Sequence, residues 1–243
     1  EELMNRVVLT ITICPELAEQ YRKTFGVDAT DLMTCPISLL SSDEPTIKER
    51  PQRNLTYMGN MSCGRGQSIF EIGQVLDLIN QGSGSEYTLE VYTGSEYPEL
   101  LEKLSSCPAI KIHGFVTGKE YLNAFGNADV FVHVESFDEI NRERVKYSVS
   151  TKIIECLASG RPLLAYGPED VASMAYLRRN KCAVLAQSQE ELPVAVKAVL
   201  TRDQLRKEIV GNALQTAKRE ASNSQRLHDL LENVLETGKY CLV

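Results

Sequence analysis

One stretch near the middle of the chain, residues 148–162, places hydroxyl, ammonium and carboxylate groups at helical spacing. Ser150 and Thr151 are favoured at helix N-caps, and a Gly-x-Pro sequence closes the stretch as a helix end does. A helix N-terminus exposes amide N–H groups and a positive dipole end, so these hydroxyls and Lys152 suit a phosphate. Glu155 lies one turn further, where a carboxylate can hold a pair of hydroxyls. The stretch therefore predicts a site for a diphosphate beside a diol, as in the ribose end of a nucleotide sugar.

The opposite face of this predicted helix is apolar and carries Ile153, Ile154, Leu157 and Ala158. An amphipathic helix of this kind packs against a core. Taken alone, the stretch is explained more simply by an ordinary capped helix whose charged side chains face water. The anion-site hypothesis needs support from the rest of the chain.

A glycine-rich loop, Gly59-x4-Gly64-Arg65-Gly66, follows one predicted strand and precedes a helix. Loops in this position can hold a phosphate with their backbone N–H groups. The loop is a poor P-loop, because Arg65 replaces the lysine and Gly66 replaces the hydroxyl residue that would coordinate magnesium. From the loop alone, an anion site and a flexible turn with a solvated arginine are equally good interpretations.

Other polar residues have simpler explanations. His113 and His133 end predicted strands and are interpreted as core or rim residues, because no spacing completes a metal site. We therefore expect no bound metal. Tyr147 is either a packing residue or a ligand contact. An acidic run after residue 134 is interpreted mostly as solvated charge, although one member could reach a substrate. The run contains Glu135, Asp138, Glu139 and Glu143.

The composition of the 243 residues is typical of a globular protein, with 43% hydrophobic and 24% charged residues. The net charge of −7 argues against a nucleic-acid-binding surface. Seven scattered cysteines without a C-x-x-C pair indicate reduced thiols, and we expect a cytoplasmic protein. The sequence shows no signal peptide or apolar run that could span a bilayer. It begins without an initiator methionine, so we expect a piece of a longer protein.

Predicted strands and helices alternate along most of the chain, which favours an α/β fold with a doubly wound parallel sheet. The predicted strands are residues 6–13, 32–35, 55–58, 87–92, 110–113, 130–134, 162–166 and 182–186. Besides the helix after residue 150, the predicted helices are residues 15–25, 68–79, 97–104, 120–125, 169–179, 189–200, 202–220 and 222–236. Ligands bind beyond the carboxyl ends of such strands, where the glycine-rich and polar loops would share one rim.

The proline-punctuated segment 41–51 has linker composition and suggests a domain boundary. We predict three parts. Residues 1–47 form the remnant of a preceding domain and a linker, residues 48–221 form a Rossmann-like domain, and residues 222–243 form a terminal helix and tail.

The order of these motifs resembles the donor-binding half of a GT-B glycosyltransferase of the retaining group 1 family. The resemblance covers residues 54–221 and rests on Arg65-Gly66, Ile110-Lys-Ile-His-Gly114-Phe-Val, Ala128-Asp-Val-Phe-Val132 and Lys152-Ile-Ile-Glu155-Cys-Leu-Ala-Ser-Gly160-Arg-Pro162. Residues 11–26 resemble the last strand and helix of that family's N-terminal, acceptor-binding domain. The resemblance thus implies the C-terminal half of a longer enzyme.

The resemblance also implies residue roles. Arg65 would contact the donor diphosphate, with Gly59 and Gly66 allowing close backbone approach. Phe115 and Val116 would lie at the nucleotide base. Ser150, Thr151 and Lys152 would face the phosphates, and Glu155 would bind the ribose hydroxyls. Arg65 and Lys152 would then act catalytically by stabilising the departing diphosphate.

Two positions depart from the family pattern. Tyr147 stands where a sugar-binding glutamate is common, eight positions before Glu155, and Glu143 or Glu135 could substitute for it. Asn60 stands where an arginine often follows the first loop glycine. A non-catalytic GT-B-like assembly module therefore remains an alternative. A P-loop-like phosphohydrolase is a second alternative. It is weaker, because the loop lacks the lysine and the hydroxyl residue of a P-loop.

The activity implied is hexosyl transfer, with retention and without a cofactor, from a nucleotide diphosphate sugar to an acceptor hydroxyl. The acceptor would be a saccharide or a lipid-linked molecule in cell-surface polysaccharide or glycoconjugate synthesis. The full-length enzyme would be cytoplasmic or peripheral to the membrane. The chain by itself is expected to be inactive, since the acceptor site would lie on the missing domain, and its exposed cleft face could form a homodimer.

Overall fold

A computed structural model describes residues 7–36, 54–94 and 97–237. The predicted linker, residues 41–51, lies entirely outside these ranges. In the described residues the strands are β1 (Ile11–Thr12), β2 (Thr30–Asp31), β3 (Asn54–Met58), β4 (Thr88–Tyr92), β5 (Ile110–His113), β6 (Val130–Val134), β7 (Leu163–Tyr166) and β8 (Val184–Ala186). The helices are α1 (Pro15–Phe25), α2 (Arg65–Ser83), α3 (Pro98–Ser105), α4 (Gly118–Asn127), α5 (Glu139–Val145), α6 (Thr151–Ala158), α7 (Ala172–Asn180), α8 (Leu192–Thr201) and α9 (Asp203–Thr237).

The main sheet is six-stranded and entirely parallel, in the order β5-β4-β3-β6-β7-β8. The predicted doubly wound fold is confirmed. The strand order reverses at β3 and β6, which lie side by side although three helices and two strands separate them in the chain. A crevice opens beyond the carboxyl ends of the strands at such a reversal. The strand β6 is buried along its whole length, as its continuous apolar sequence predicted.

Two apolar clusters cover the faces of this sheet. One joins α2, α3 and α8 to the first face through side chains such as Ile72, Leu104 and Val196. The other joins α6, α7 and α9 to the second face. Ile153, Ile154 and Leu157 of α6 are each at most 3% exposed. The predicted apolar face of this helix therefore holds it against the core, which leaves its N-terminus at the rim.

The N-terminal segment differs from the prediction. Instead of two longer strands at residues 6–13 and 32–35, only β1 and β2 pair, over two residues each. In the described part of the chain these strands have no further neighbours, so the apolar residues 7 and 8 stay exposed. Met33 and Cys35 are buried instead against α9, where Asn223 Nδ2 donates to the Met33 carbonyl at 2.8 Å.

Two helix predictions were wrong. We predicted a break in the last helix near residue 221, but α9 is continuous. The segment after residue 138, for which no helix was predicted, contains α5, which Asp138 caps by accepting a hydrogen bond from Asn141 N at 3.0 Å. The domain limits proposed at residues 47 and 221 stay predictions, although the second falls inside α9.

The start of α2 depends on a glycine. Gly64 has φ +72°, and a Cβ there would lie 2.6 Å from Ser136 Oγ and 2.8 Å from Asn141 Nδ2. We expect Gly64→Ala to lower stability by about 1–3 kcal/mol, because it adds both a left-handed strain and a steric clash. Thermal denaturation measures this. Gly82→Ala, in the same helix with nothing within 4 Å of the added carbon, should be neutral or stabilising. Equal effects of the two substitutions would contradict this account.

Candidate functional site

A cleft of about 1330 Å³ lies at the carboxyl ends of β3 to β6, against the N-terminus of α6. Its position is the one that the strand reversal predicts. Residues from widely separated parts of the chain line it together. They are Tyr57, Met58, Gly59, Asn60, Ser62, Arg65, Tyr92, Thr93, Gly94, Tyr97, Phe115, Val116, Thr117, Tyr121, Phe125, Phe131, Val132, His133, Val134, Ser150, Thr151, Lys152, Ile153 and Cys156.

The N-terminus of α6 forms one wall of the cleft. Ser150 is the N-cap residue, as predicted, but its hydroxyl makes no capping hydrogen bond to the helix. Thr151 and Lys152 follow in the first turn and also line the cleft. The first amide N–H groups of a helix have no partner inside the helix, so this end offers donors and a positive dipole to an anion. The helix end predicted as a phosphate site therefore faces the cleft, and phosphate binding there stays a prediction.

Lys152, Glu155 and Tyr121 form a hydrogen-bonded cluster beside this wall. Lys152 Nζ lies 2.9 Å from Glu155 Oε2 and 3.1 Å from Oε1, and it donates to Tyr121 Oη at 3.0 Å. The Tyr121 hydroxyl in turn donates to Glu155 Oε2, and Lys152 Nζ lies 4.6 Å from the centre of the Tyr121 ring. The predicted pair is therefore brought together, and Tyr121 joins it as a third member that no sequence motif indicated.

The electrostatics of this cluster keep the lysine charged. Burial lowers the pKa of Lys152, but its hydrogen bonds to Tyr121 and Glu155 more than offset this, so the pKa is raised. Burial and the Glu155 carboxylate raise the pKa of Tyr121. An ammonium and a neutral phenol thus face the carboxylate at neutral pH. The cluster combines a cation for a phosphate with a carboxylate for hydroxyls.

Arg65 is paired with the buried carboxylate of Glu135. Its Nε donates to Glu135 Oε2 at 3.1 Å and its Nη2 donates to Glu135 Oε1 at 3.2 Å. The side chain of Glu135 is 2% exposed and that of Arg65 is 18% exposed. His133 Nε2 lies 3.3 Å from Glu135 Oε1, without hydrogen-bond alignment. Burial raises the pKa of Glu135, but His133 and Arg65 lower it by more, so the group is ionised.

This pairing corrects the interpretation of the acidic run. Glu135 is not part of a solvated charge patch but the counter-ion of Arg65. Glu143 is solvated as predicted, because it is exposed and pairs with Lys146. Asp138 serves as the cap of α5. Glu139 is an exposed residue in the first turn of α5.

Asn60 organises the loop that precedes Arg65. Its Oδ1 accepts hydrogen bonds from Ser62 N at 3.2 Å, from Ser62 Oγ at 2.5 Å and from Arg65 Nη1 at 3.4 Å. Because Glu135 occupies Nε and Nη2, the Nη1 edge is the part of the guanidinium nearest the exposed loop. Asn60 thus ties the loop to the arginine instead of adding a second positive charge.

The two loop glycines have different surroundings. Gly59 lines the cleft, and a Cβ there would lie 3.1 Å from Tyr57 Oη, whose hydroxyl donates to the Asn60 carbonyl. Gly66 is buried and does not line the cleft. A Cβ there would lie 2.4 Å from Leu100 Cδ2, so the close packing of α2 on α3 explains this glycine. Its expected approach to a diphosphate stays a prediction.

The end of the cleft that follows β4 and β5 exposes aromatic rings. Phe115 and Val116 follow β5 and line the cleft, as do Gly94 and Tyr97. Phe115 is 76% exposed and Tyr97 is 54% exposed, which is unusual for large apolar rings. The Phe115 side chain lies against Gly94, where an added Cβ would be 3.4 Å away. This end offers flat apolar surface to a ring such as a nucleobase.

Tyr147 points away from the cleft lining. Its hydroxyl donates to Gln20 Oε1 of α1 at 3.1 Å, and its carbonyl accepts from Cys14 Sγ. Of the two interpretations left open, packing is the one that the structure supports. His113, interpreted as a rim residue, lies with Nε2 2.6 Å from Glu90 Oε2 and is stacked on Tyr92. Within the described ranges, no three His, Cys, Asp or Glu residues are grouped as metal ligands.

A family model described as glycosyl transferase-like matches residues 78–232, which is more than half of the chain. The chain belongs to this family. The matched range includes α6 and the cluster of Lys152 and Glu155. The predicted resemblance to the C-terminal half of a GT-B, group 1 glycosyltransferase is confirmed, and its role in binding the donor stays a proposal. No curated protein matches the sequence significantly.

Solved structures share this fold. WaaG, a glycosyltransferase involved in lipopolysaccharide biosynthesis, aligns with a TM-score of 0.66 at 16% identity, over 94% of this chain and 65% of its own. Anabaena Alr3699/HepE in complex with UDP-glucose aligns with a TM-score of 0.71 at 15% identity, over 96% and 66%. The C-terminal domain of LpcC, a glycosyl transferase group 1 family protein from Francisella tularensis, gives 0.52 at 14% identity, over 74% and 93%.

The chain aligns with only part of the two longer proteins. The chain spans 65% of WaaG and 66% of HepE, which is just under two thirds of each. No helix in the part of the chain that the structure describes is both long and apolar enough to cross a membrane.

Proposed function

We propose that this chain is the nucleotide-sugar-binding half of an enzyme that transfers a sugar from a nucleoside diphosphate to an acceptor hydroxyl. One observation carries the proposal. The N-terminus of α6, Lys152, Tyr121 and the loop of Arg65 all line one cleft. Glu155 does not itself line the cleft but is hydrogen-bonded to both Lys152 and Tyr121, which do. A diphosphate needs fixed cations and N–H donors, and a ribose needs a carboxylate, so the cleft supplies groups for both.

The components of a donor would occupy the cleft in sequence. The nucleobase would lie on the aromatic end near Phe115, the ribose at Glu155, and the diphosphate between Lys152 and the Arg65 loop. The two cations would then stabilise the charge that develops on the departing diphosphate, without a bound metal. That HepE shares the fold and binds UDP-glucose supports a nucleotide sugar as the ligand.

The finer parts of the proposal rest on the family resemblance. They are hexosyl transfer with retention, a saccharide or lipid-linked acceptor, and a role in cell-surface polysaccharide or glycoconjugate synthesis in the cytoplasm or at its membrane surface. The acceptor site would lie on a preceding domain, so the chain alone would bind donor without transferring the sugar. The open cleft face would allow two copies to associate.

A non-catalytic nucleotide-binding module is the second candidate. The position of Tyr147 favours it, because this residue faces α1 and brings no carboxylate to the cleft. Both candidates bind a nucleotide. Sugar transfer by a protein that includes the preceding domain would support the first candidate, and nucleotide binding without transfer would support the second.

A thermal-shift panel tests the proposal directly. We expect UDP, GDP or ADP at about 100 times its Kd to stabilise the chain by about 2.7 kcal/mol. This corresponds to a rise in Tm of about 5–11 °C for a protein of this size. Adenosine, which has no phosphate, is the control and should give a much smaller shift. If no nucleotide raises Tm, the proposed function fails for this chain.

A further inference from the structure

The hydroxyl of Tyr121 occupies an unusual place in the cleft. It donates a hydrogen bond to Glu155 Oε2 and accepts one from Lys152 Nζ at 3.0 Å. A ribose hydroxyl bound between the same two side chains would make the same two interactions. Both are neutral O–H groups that can donate to a carboxylate and accept from an ammonium.

The tyrosine is held there by its ring. The ring packs against Phe125 with centroids 5.8 Å apart, and Phe125 packs against Phe131 at 4.6 Å. Lys152 Nζ also lies over the ring, at 4.6 Å from its centre. These contacts fix the ring and direct the hydroxyl at Glu155, so the side chains of the protein itself position this hydrogen bond.

Two donors, Lys152 Nζ and Tyr121 Oη, therefore contact Glu155, and they differ in how easily they can leave. Lys152 is charged and makes a close ion pair with a carboxylate that is only 25% exposed. Separating this pair would leave a partly buried charge without its partner. The Tyr121 hydroxyl is neutral, and an incoming hydroxyl can replace it without any loss of charge pairing.

We infer that the Tyr121 hydroxyl is a placeholder for a ribose hydroxyl and is displaced when a nucleotide binds. The inference rests on the proposed function and goes beyond it in one respect. Tyr121 becomes a residue that selects ligands by their diol. A ligand that offers two hydroxyls to Glu155 displaces the phenol and replaces its hydrogen bond. A ligand without these hydroxyls cannot replace the hydrogen bond between Tyr121 and Glu155.

The test compares wild type with Tyr121→Phe, which keeps the ring and removes only the hydroxyl. Isothermal titration would use UDP, GDP or ADP, whichever the thermal-shift panel selects, its 2′,3′-dideoxy analogue, and inorganic pyrophosphate. We expect the ribonucleotide to bind about 2–10 times more tightly to the variant, because it no longer competes with an internal hydrogen bond. Binding of the dideoxy analogue and of pyrophosphate should stay unchanged.

Two controls separate this effect from a general one. In a Glu155→Ala background, Tyr121→Phe should have no effect on ribonucleotide affinity, since the shared acceptor is gone. Tyr87→Phe, at a tyrosine outside the cleft lining, should change none of the affinities.

The outcomes are distinguishable. Unchanged or weaker ribonucleotide binding by Tyr121→Phe would overturn the inference while leaving the proposed function standing. An equal gain for the ribonucleotide and the dideoxy analogue would also overturn it. If neither wild type nor variant binds any nucleotide, the proposed function fails and the inference fails with it.

Discussion

Replacing Arg65 with methionine should destabilise the protein by about 3–5 kcal/mol at neutral pH. The substitution fills a similar volume but leaves the Glu135 carboxylate, which is 2% exposed, without its bidentate partner. A buried charge that loses its partner retains the full cost of its desolvation. For a chain of this size the loss corresponds to a fall in Tm of roughly 6–20 °C. Thermal denaturation followed by circular dichroism measures it.

The loss of stability caused by Arg65→Met should also depend on pH. In the wild-type protein the pKa of Glu135 is below its ordinary value of 4.5, because His133 and Arg65 outweigh the effect of burial. This contribution to stability is fully present above the ordinary pKa and is lost as pH falls through the lowered one. Without Arg65 the pKa rises, and the protonated side chain is easier to bury. The Tm difference between wild type and variant should therefore shrink as the pH falls from 7 toward 4.5.

A second arginine gives a matched control. Arg142 pairs with Asp170 at the surface, where the two side chains are 40% and 37% exposed. Arg142→Met should change Tm little, because solvent screens such pairs. A Tm deficit for Arg65→Met that is equally small, or that is constant with pH, would contradict the assignment of Glu135 as its buried counter-ion.

The pairing of Arg65 with Glu135 shows which features local sequence patterns predict. The parallel sheet and the position of α6 followed from periodicity, caps and strand composition, all of which act over a few residues. The two members of this pair are 70 positions apart. They meet only because β3 and β6 are neighbours at the centre of the sheet, and an acidic run by itself carries no sign of that adjacency.

The same reason explains the other differences. Tyr121 reaches Glu155 across 34 positions, so its role depends on how α4 lies against α6. A helix break was predicted near residue 221, but Asn223 donates to Glu220 Oε2 and to the Met33 carbonyl, and α9 continues. A long N-terminal strand was predicted from β-branched residues, yet a strand extends only where neighbouring strands pair with it.

Lys152 and Glu155 should affect different parts of a bound nucleotide. We expect Lys152→Met to weaken binding of the panel-selected nucleoside diphosphate and of inorganic pyrophosphate alike, by about 10- to 100-fold. The lysine supplies a charge-assisted hydrogen bond to phosphate oxygens, and both ligands carry them. Isothermal titration with the two ligands measures the two affinities separately.

Glu155→Ala should change the affinities of the same two ligands differently. The nucleoside diphosphate should lose about 10- to 100-fold in affinity, because its ribose hydroxyls lose a carboxylate acceptor. Pyrophosphate has no hydroxyl to lose, and the substitution frees Lys152 from an ion pair of 2.9 Å. Its affinity should therefore stay the same or increase. This opposite response is the strongest sign that one residue contacts phosphate and the other contacts sugar.

The chain contains a matched pair for comparison. Lys146 and Glu143 have the same three-residue separation and a 2.7 Å contact, but Lys146 does not line the cleft as Lys152 does. Lys146→Met and Glu143→Ala should leave both affinities unchanged. If Glu155→Ala weakened pyrophosphate as much as the nucleotide, the carboxylate would act only by orienting Lys152, and the ribose would have to bind elsewhere in the cleft. If it weakened neither, the diol would not bind at this helix.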